Sequence, residues 1–114
     1  MMKIKLILLV FVLFVSANGQ IFKTPEQATQ NLYDAWQKKS KSKARQVTHD
    51  EAIRKLFSVR RQKMVFKGCT ERVKERDYEC LYENKKKDLT LAMLLVSTRR
   101  GFWIKSLSFS SEAY

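Results

Sequence analysis

Few residues in this chain have side chains suited to chemistry. There is one histidine, His49, and there are two cysteines, Cys69 and Cys80, with a handful of tyrosines and carboxylates. Acid–base catalysis needs a positioned pair of groups with displaced proton affinities. The candidates are Tyr33, Asp34, His49, Tyr78 and Tyr82. His49 falls in Thr48-His49-Asp50-Glu51, a helix-start sequence, where a histidine is usually an exposed turn residue. Asp34 falls on the polar side of a helical pattern. Tyr78 and Tyr82 share the presumed inner face of a strand with Cys80, and there a tyrosine commonly packs its ring and keeps its hydroxyl hydrated. One histidine and two cysteines do not complete a four-ligand zinc set with ordinary spacing. No Ser/His/Asp set and no phosphate-binding glycine loop is present. These residues assign no catalytic group, no metal and no cofactor, and a non-catalytic protein is expected. The less favoured alternative is a small enzyme with a pocket between the first helix and a sheet, lined by Tyr33, Trp36, Tyr78 and Tyr82.

The cysteines have a simpler reading once the N-terminus is considered. Lys3 and Lys5 precede an unbroken apolar run over residues 6–15, and the small residues Ser16, Ala17 and Gly19 follow. This is the pattern of a secretory signal peptide over residues 1–19, with cleavage near Ala17 or Gly19. The run is well short of the roughly 20 apolar residues that span a bilayer, so the mature chain is expected to be exported, with no transmembrane span. It keeps about 95 residues, enough for one domain with a modest core. A disulfide between Cys69 and Cys80 is the default for an exported chain of this size.

Charge is the other strong signal. The chain has 23 Lys and Arg against 11 Asp and Glu, a formal +12. Such a surface is drawn to polyanions such as anionic headgroups, acidic glycans, cell-wall polymers or nucleic acid. The residues singled out for anion binding are Arg60, Arg61, Lys63, Lys85, Lys86 and Lys87. The register of the strands places these at one end of a sheet, with Arg72, Lys74, Arg76, Arg99 and Arg100 at the other. The run at residues 38–43 is basic too, but it interleaves no aromatic for base stacking. It reads as a solvated corner between helices.

The elements that position these residues follow from patterning. Thr24 as N-cap, Pro25 at the first helical position and Gln27 three residues after the cap start a helix. Ala28, Leu32, Ala35 and Trp36 then recur on one face, so the helix runs over residues 25–38. Ser40 or Ser42 can cap a short second helix. Thr48 with Glu51 reads as a capping box for a third, ending near Phe57. Four strands follow. The first begins at Met64 and ends before a polar loop over residues 70–76. The second, over residues 77–83, alternates Tyr78, Cys80 and Tyr82 with an acidic outer face. The apolar run at residues 89–96 fits a fully buried central strand better than a helix, which would be apolar nearly all round. In the last strand Phe102 and Ile104 fall on one face and Leu107 and Phe109 on the other. A β-bulge near Lys105-Ser106 would bring all four to the core. Residues 20–109 form one domain, with a polar, frayed tail over 110–114.

Thr24-Pro25-Glu26-Gln27-Ala28, Leu32-Tyr33 and Ala35-Trp36-Gln37 resemble the opening helix of small exported bacterial proteins of the NTF2-like, cystatin-like α+β class. The Phe66–Cys69 strand, the second cysteine and the closing Gly101-Phe102-Trp103-Ile104 strand resemble the rest of that pattern, with Phe102 where the class carries a tryptophan. The resemblance covers essentially all of the mature chain. It implies an α+β fold with helices packed on a curved four-stranded antiparallel sheet. Its motifs are structural, so the function it implies is a binding or interaction module whose ligand is not named. A cationic protein binding anionic envelope or nucleic acid is the alternative, and a dimer is left open.

Overall fold

The computed structural model describes residues 22–72 and 77–111, so the signal-like segment, Lys74, Arg76 and the last three residues lie outside the described residues. Three helices, α1 (Pro25–Lys38), α2 (Lys41–Ala44) and α3 (Asp50–Phe57), precede four strands, β1 (Val65–Arg72), β2 (Asp77–Asn84), β3 (Leu89–Thr98) and β4 (Gly101–Ser111). The sheet is antiparallel throughout in the order β1-β2-β3-β4. The fold is α+β, with the helices on one face.

Helix α1 begins as its sequence dictates. Thr24 Oγ1 accepts the Gln27 amide at 3.2 Å, and the Gln27 side chain accepts from the Lys23 amide at 3.0 Å. Ala28, Leu32, Ala35 and Trp36 are buried. The helix ends at Lys39 in the left-handed conformation, φ 56°, a position usually taken by glycine. Asn31 donates to the Lys43 carbonyl at 3.1 Å and ties α1 to α2, which Ser40 caps. The start of α3 departs from expectation. Its cap is His49, not Thr48. Thr48 is buried, and its hydroxyl donates to the Ile104 carbonyl at 2.7 Å. That bond across to β4 serves Thr48 better than capping its own helix.

The sheet has a buried face and an open one. Tyr82, Cys80, Leu91, Met93, Leu95, Ile104 and Leu107 are buried against the helices. The expected bulge in β4 is present. Leu94 pairs with Ser106 and Leu95 with Ile104, leaving Lys105 as the extra residue. The side-chain parity therefore flips, and Phe102 and Phe109 join the same core as Ile104 and Leu107. Strand β3 is not buried on both sides as expected. Leu91, Met93 and Leu95 are buried, but Ala92, Leu94 and Val96 are only partly so, because helices cover one face alone. Strand β1 runs on through Thr70 and Glu71 to Arg72, where a loop was expected. Its cross-strand partners Glu79, Tyr78 and Asp77 extend the ladder. Strand β4 extends through Ser111 by pairing with Leu89.

Asp77 also departs from the acidic outer face predicted for it. It is 4% exposed and forms an ion pair with Lys105, the bulged residue. The first hairpin is closed by the Cys69–Cys80 disulfide, which joins directly opposed residues with their Cα atoms 4.0 Å apart.

Candidate functional site

Of the four residues expected to line a pocket, Tyr33, Trp36 and Tyr82 meet one another and Tyr78 packs elsewhere. Tyr33 stacks on Tyr82 with ring centroids 4.7 Å apart and planes 8° from parallel. Trp36 meets Tyr33 edge-on at 6.2 Å and tilts against Phe109 at 5.9 Å, while Phe66 tilts against Tyr82 at 5.1 Å. These rings form a packed row between α1 and the sheet. Tyr78 stands apart, edge-on to Phe102 at 5.1 Å. The hydroxyl of Tyr33 both accepts from the Met64 amide at 3.0 Å and donates to its carbonyl at 3.3 Å, so its role is to hold the entry to β1. Trp36 Nε1 donates to the Val59 carbonyl at 3.2 Å.

Tyr82 is the exception in this row. Its hydroxyl is buried without a hydrogen-bond partner. Burial pushes its pKa up to about 12; the Thr29 side chain, near enough to favour the ionised form but outside ordinary hydrogen-bond geometry, opposes the rise, and Asp34 and Tyr33 add to it. It holds its proton at neutral pH and does not serve there as a base. His49 is a helix-start residue as expected, but a half-buried one that itself caps α3. Its Nδ1 accepts the Ala52 amide at 3.3 Å, which fixes the proton on Nε2, and Nε2 donates to the Lys105 carbonyl at 2.8 Å. Among the described residues no group of three or more His, Cys, Asp or Glu could hold a metal ion.

The basic residues do converge. A cleft of about 680 Å³ lies between the end of α1, the start of α2 and the segment after α3, lined by Trp36, Lys39, Lys41, Phe57, Val59, Arg60 and Arg61. Four cations line it, and no carboxylate does. Arg61 donates to the Gln37 carbonyl at 2.6 Å, and Gln37 donates to the Gln62 carbonyl at 2.9 Å, which holds this segment against α1. Asn84 donates to Gln62 Oε1 at 2.6 Å and joins the same segment to the end of β2. A second, smaller cleft of about 320 Å³ adjoins it there, lined by Lys63, Val65, Lys67, Glu83, Asn84, Lys85 and Lys86. Lys87 is exposed in the same turn, its amide donating to Asn84 Oδ1 at 3.3 Å.

Arg60, Arg61, Lys63 and Lys85–Lys87 thus lie at one end of the molecule. Arg72 faces Asp77 at the opposite end of the sheet, where Arg99 and Arg100 make the turn between β3 and β4. Sequence reasoning missed Lys39, Lys41 and Lys67. Lys39 and Lys41 belong to a run that reads as a solvated corner, and only the fold of Val59-Arg60-Arg61 back onto α1 makes them one wall of a cleft. The signal available was the helix stop at Lys39, which turns the chain where glycine would be ordinary.

Compared with known proteins, the chain matches no family model, no curated protein and no solved structure.

Proposed function

We propose that the chain is an exported, non-catalytic binding module of NTF2-like architecture that takes anionic groups at its basic end. The observation that carries this reading is the cleft walled by Lys39, Lys41, Arg60 and Arg61, with Phe57 and Val59 beside them and no acidic side chain lining it. Cations that share one cleft repel one another, and an anion held between them relieves that repulsion. The order of three helices and four antiparallel strands supports the architecture, and the disulfide with the signal-like N-terminus supports export. The test is retention on immobilised heparin and on anionic vesicles across a salt series. Retention at physiological ionic strength that falls steeply with added salt is expected. Elution below about 0.15 M salt from both supports would refute the reading.

One observation favours a second reading. The unpartnered Tyr82 hydroxyl is a buried donor between α1 and the sheet, where an enzyme of this architecture would place its pocket. A phenol that stays protonated at neutral pH does not take up a substrate's proton, and stacking with Tyr33 occupies one face of the ring. The anionic-ligand reading is preferred.

A further inference from the structure

The two large apolar side chains most open to solvent among the described residues are neighbours, Val65 at 64% and Phe66 at 37% exposure. They open β1, the edge strand, and lysines bracket them at positions 63 and 67. The two edges of the sheet are treated differently. Along β4, Phe102 donates to the Phe22 carbonyl and Ile104 to the Val47 carbonyl, both at 2.8 Å. His49 and Lys55 bond the Lys105 and Leu107 carbonyls. No described residue bridges to the outer edge of β1. Lys67 bulges there, Gly68 takes φ 109°, and the space beside Gly68 is open.

A bulge and lysines on an edge are ordinary guards against strand pairing. That accounts for Lys63 and Lys67 but not for an exposed valine and phenylalanine between them. Val65 lines the smaller cleft with Lys63, Lys67, Lys85 and Lys86, and Glu83 is the one carboxylate there. An apolar side chain ringed by lysines gains nothing from a polyanion in water. Against a lipid surface both parts are used, the cations at the headgroups and the apolar group below them. A nucleic acid would instead ask for open aromatic faces beside the cations, and the exposed ring here, Phe66, packs on Tyr82 at 5.1 Å and lines a different cleft with Glu26 and Asp34.

We propose that this corner seats the protein edge-on against an anionic lipid leaflet, with Val65 entering the headgroup layer and Lys63, Lys67, Lys85 and Lys86 pairing with phosphates. This rests on the anionic-ligand reading above and names its surface. The test compares sedimentation with phosphatidylglycerol/phosphatidylcholine vesicles and retention on heparin for the parent, Val65→Asn and Val65→Trp. Because Val65 is exposed, both variants should fold, which thermal unfolding checks. Val65→Asn should weaken vesicle binding about 5-fold and Val65→Trp should strengthen it, with heparin retention unchanged in both. If the parent is retained on heparin while all three proteins bind vesicles equally or not at all, the lipid docking is overturned and the basic end remains a general anion site. If the parent binds neither support, both readings fall.

Discussion

Thr48 and Ile104 stand 56 positions apart in the chain and are hydrogen-bonded at the edge of the sheet, with a second bond from Ile104 to the residue before Thr48. The Thr48 hydroxyl donates to the Ile104 carbonyl at 2.7 Å, and the Ile104 amide donates to the carbonyl of Val47, one residue before Thr48, at 2.8 Å. Ile104 and Thr48 are both buried, so this carbonyl has little access to water if the hydroxyl is lost. Thr48→Val keeps the shape and removes the donor. It should lower stability by about 1–2 kcal/mol in urea unfolding, and Thr48→Ser by less, because the hydroxyl remains. Equal losses from the two variants would assign the effect to packing instead.

Tyr82 offers a test with a pH axis. Its hydroxyl makes no hydrogen bond of ordinary geometry, so at neutral pH Tyr82→Phe should leave stability unchanged or raise it by up to about 1 kcal/mol. At alkaline pH the sign follows from its pKa, raised from 10.0 to about 12 in the fold. The unfolded chain ionises first, so the contribution is complete below pH 10 and is lost as pH rises towards 12. Stability of the parent should therefore fall more steeply across that window than stability of Tyr82→Phe. Parallel curves would show that Tyr82 ionises as readily folded as unfolded.

The disulfide joins directly opposed residues, so it pins a register as well as closing a loop. Because Cys80 is fully buried, the suitable comparison is the double variant Cys69→Ala/Cys80→Ala, which buries no new polar group. It should lose about 3 kcal/mol, the chain-entropy value for a loop of this length. Thermal unfolding with and without reductant checks this, since reduction should lower the parent's midpoint and leave the variant's unchanged.

Local rules made much of this fold legible. The start of α1 was readable because its cap, proline and glutamine act within one turn. The bulge at Lys105 was readable because Phe102, Ile104, Leu107 and Phe109 cannot share a face without one. The cap of α3 was not, because Thr48 is drawn to a carbonyl on β4 that local sequence does not reveal. Asp77 was misplaced for a similar reason, since the bulge itself brings Lys105 within reach of it. The site was half legible. Arg60, Arg61 and Lys63 could be set at one end of a sheet from strand direction, but their meeting with Lys39 and Lys41 depends on how the segment after α3 folds onto α1.

Lys39 carries two consequences that can be separated. Its left-handed backbone is strained for any residue with a Cβ, and its charge faces the cleft. Lys39→Gly should raise stability by about 0.5–1 kcal/mol while weakening retention on heparin. Lys39→Gln should weaken retention to a similar degree without the gain. A protein that becomes more stable as its binding weakens would show that this turn is kept for its ligand.

The two ends of the molecule supply the final comparison. Arg60 and Arg61 line a cleft with two lysines, whereas Arg99 and Arg100 sit in an exposed two-residue turn beyond the far end of the sheet. Reversing either pair to glutamate changes the net charge equally, so a response to overall charge alone would be the same for both. Convergence predicts otherwise. Arg60→Glu/Arg61→Glu should move heparin elution to markedly lower salt, by several times the shift that Arg99→Glu/Arg100→Glu produces, because Lys39, Lys41, Arg60 and Arg61 line one cleft and act together on an anion held there. Equal shifts would mean that the protein responds to anions through its net charge, and that the cleft has no special part in binding.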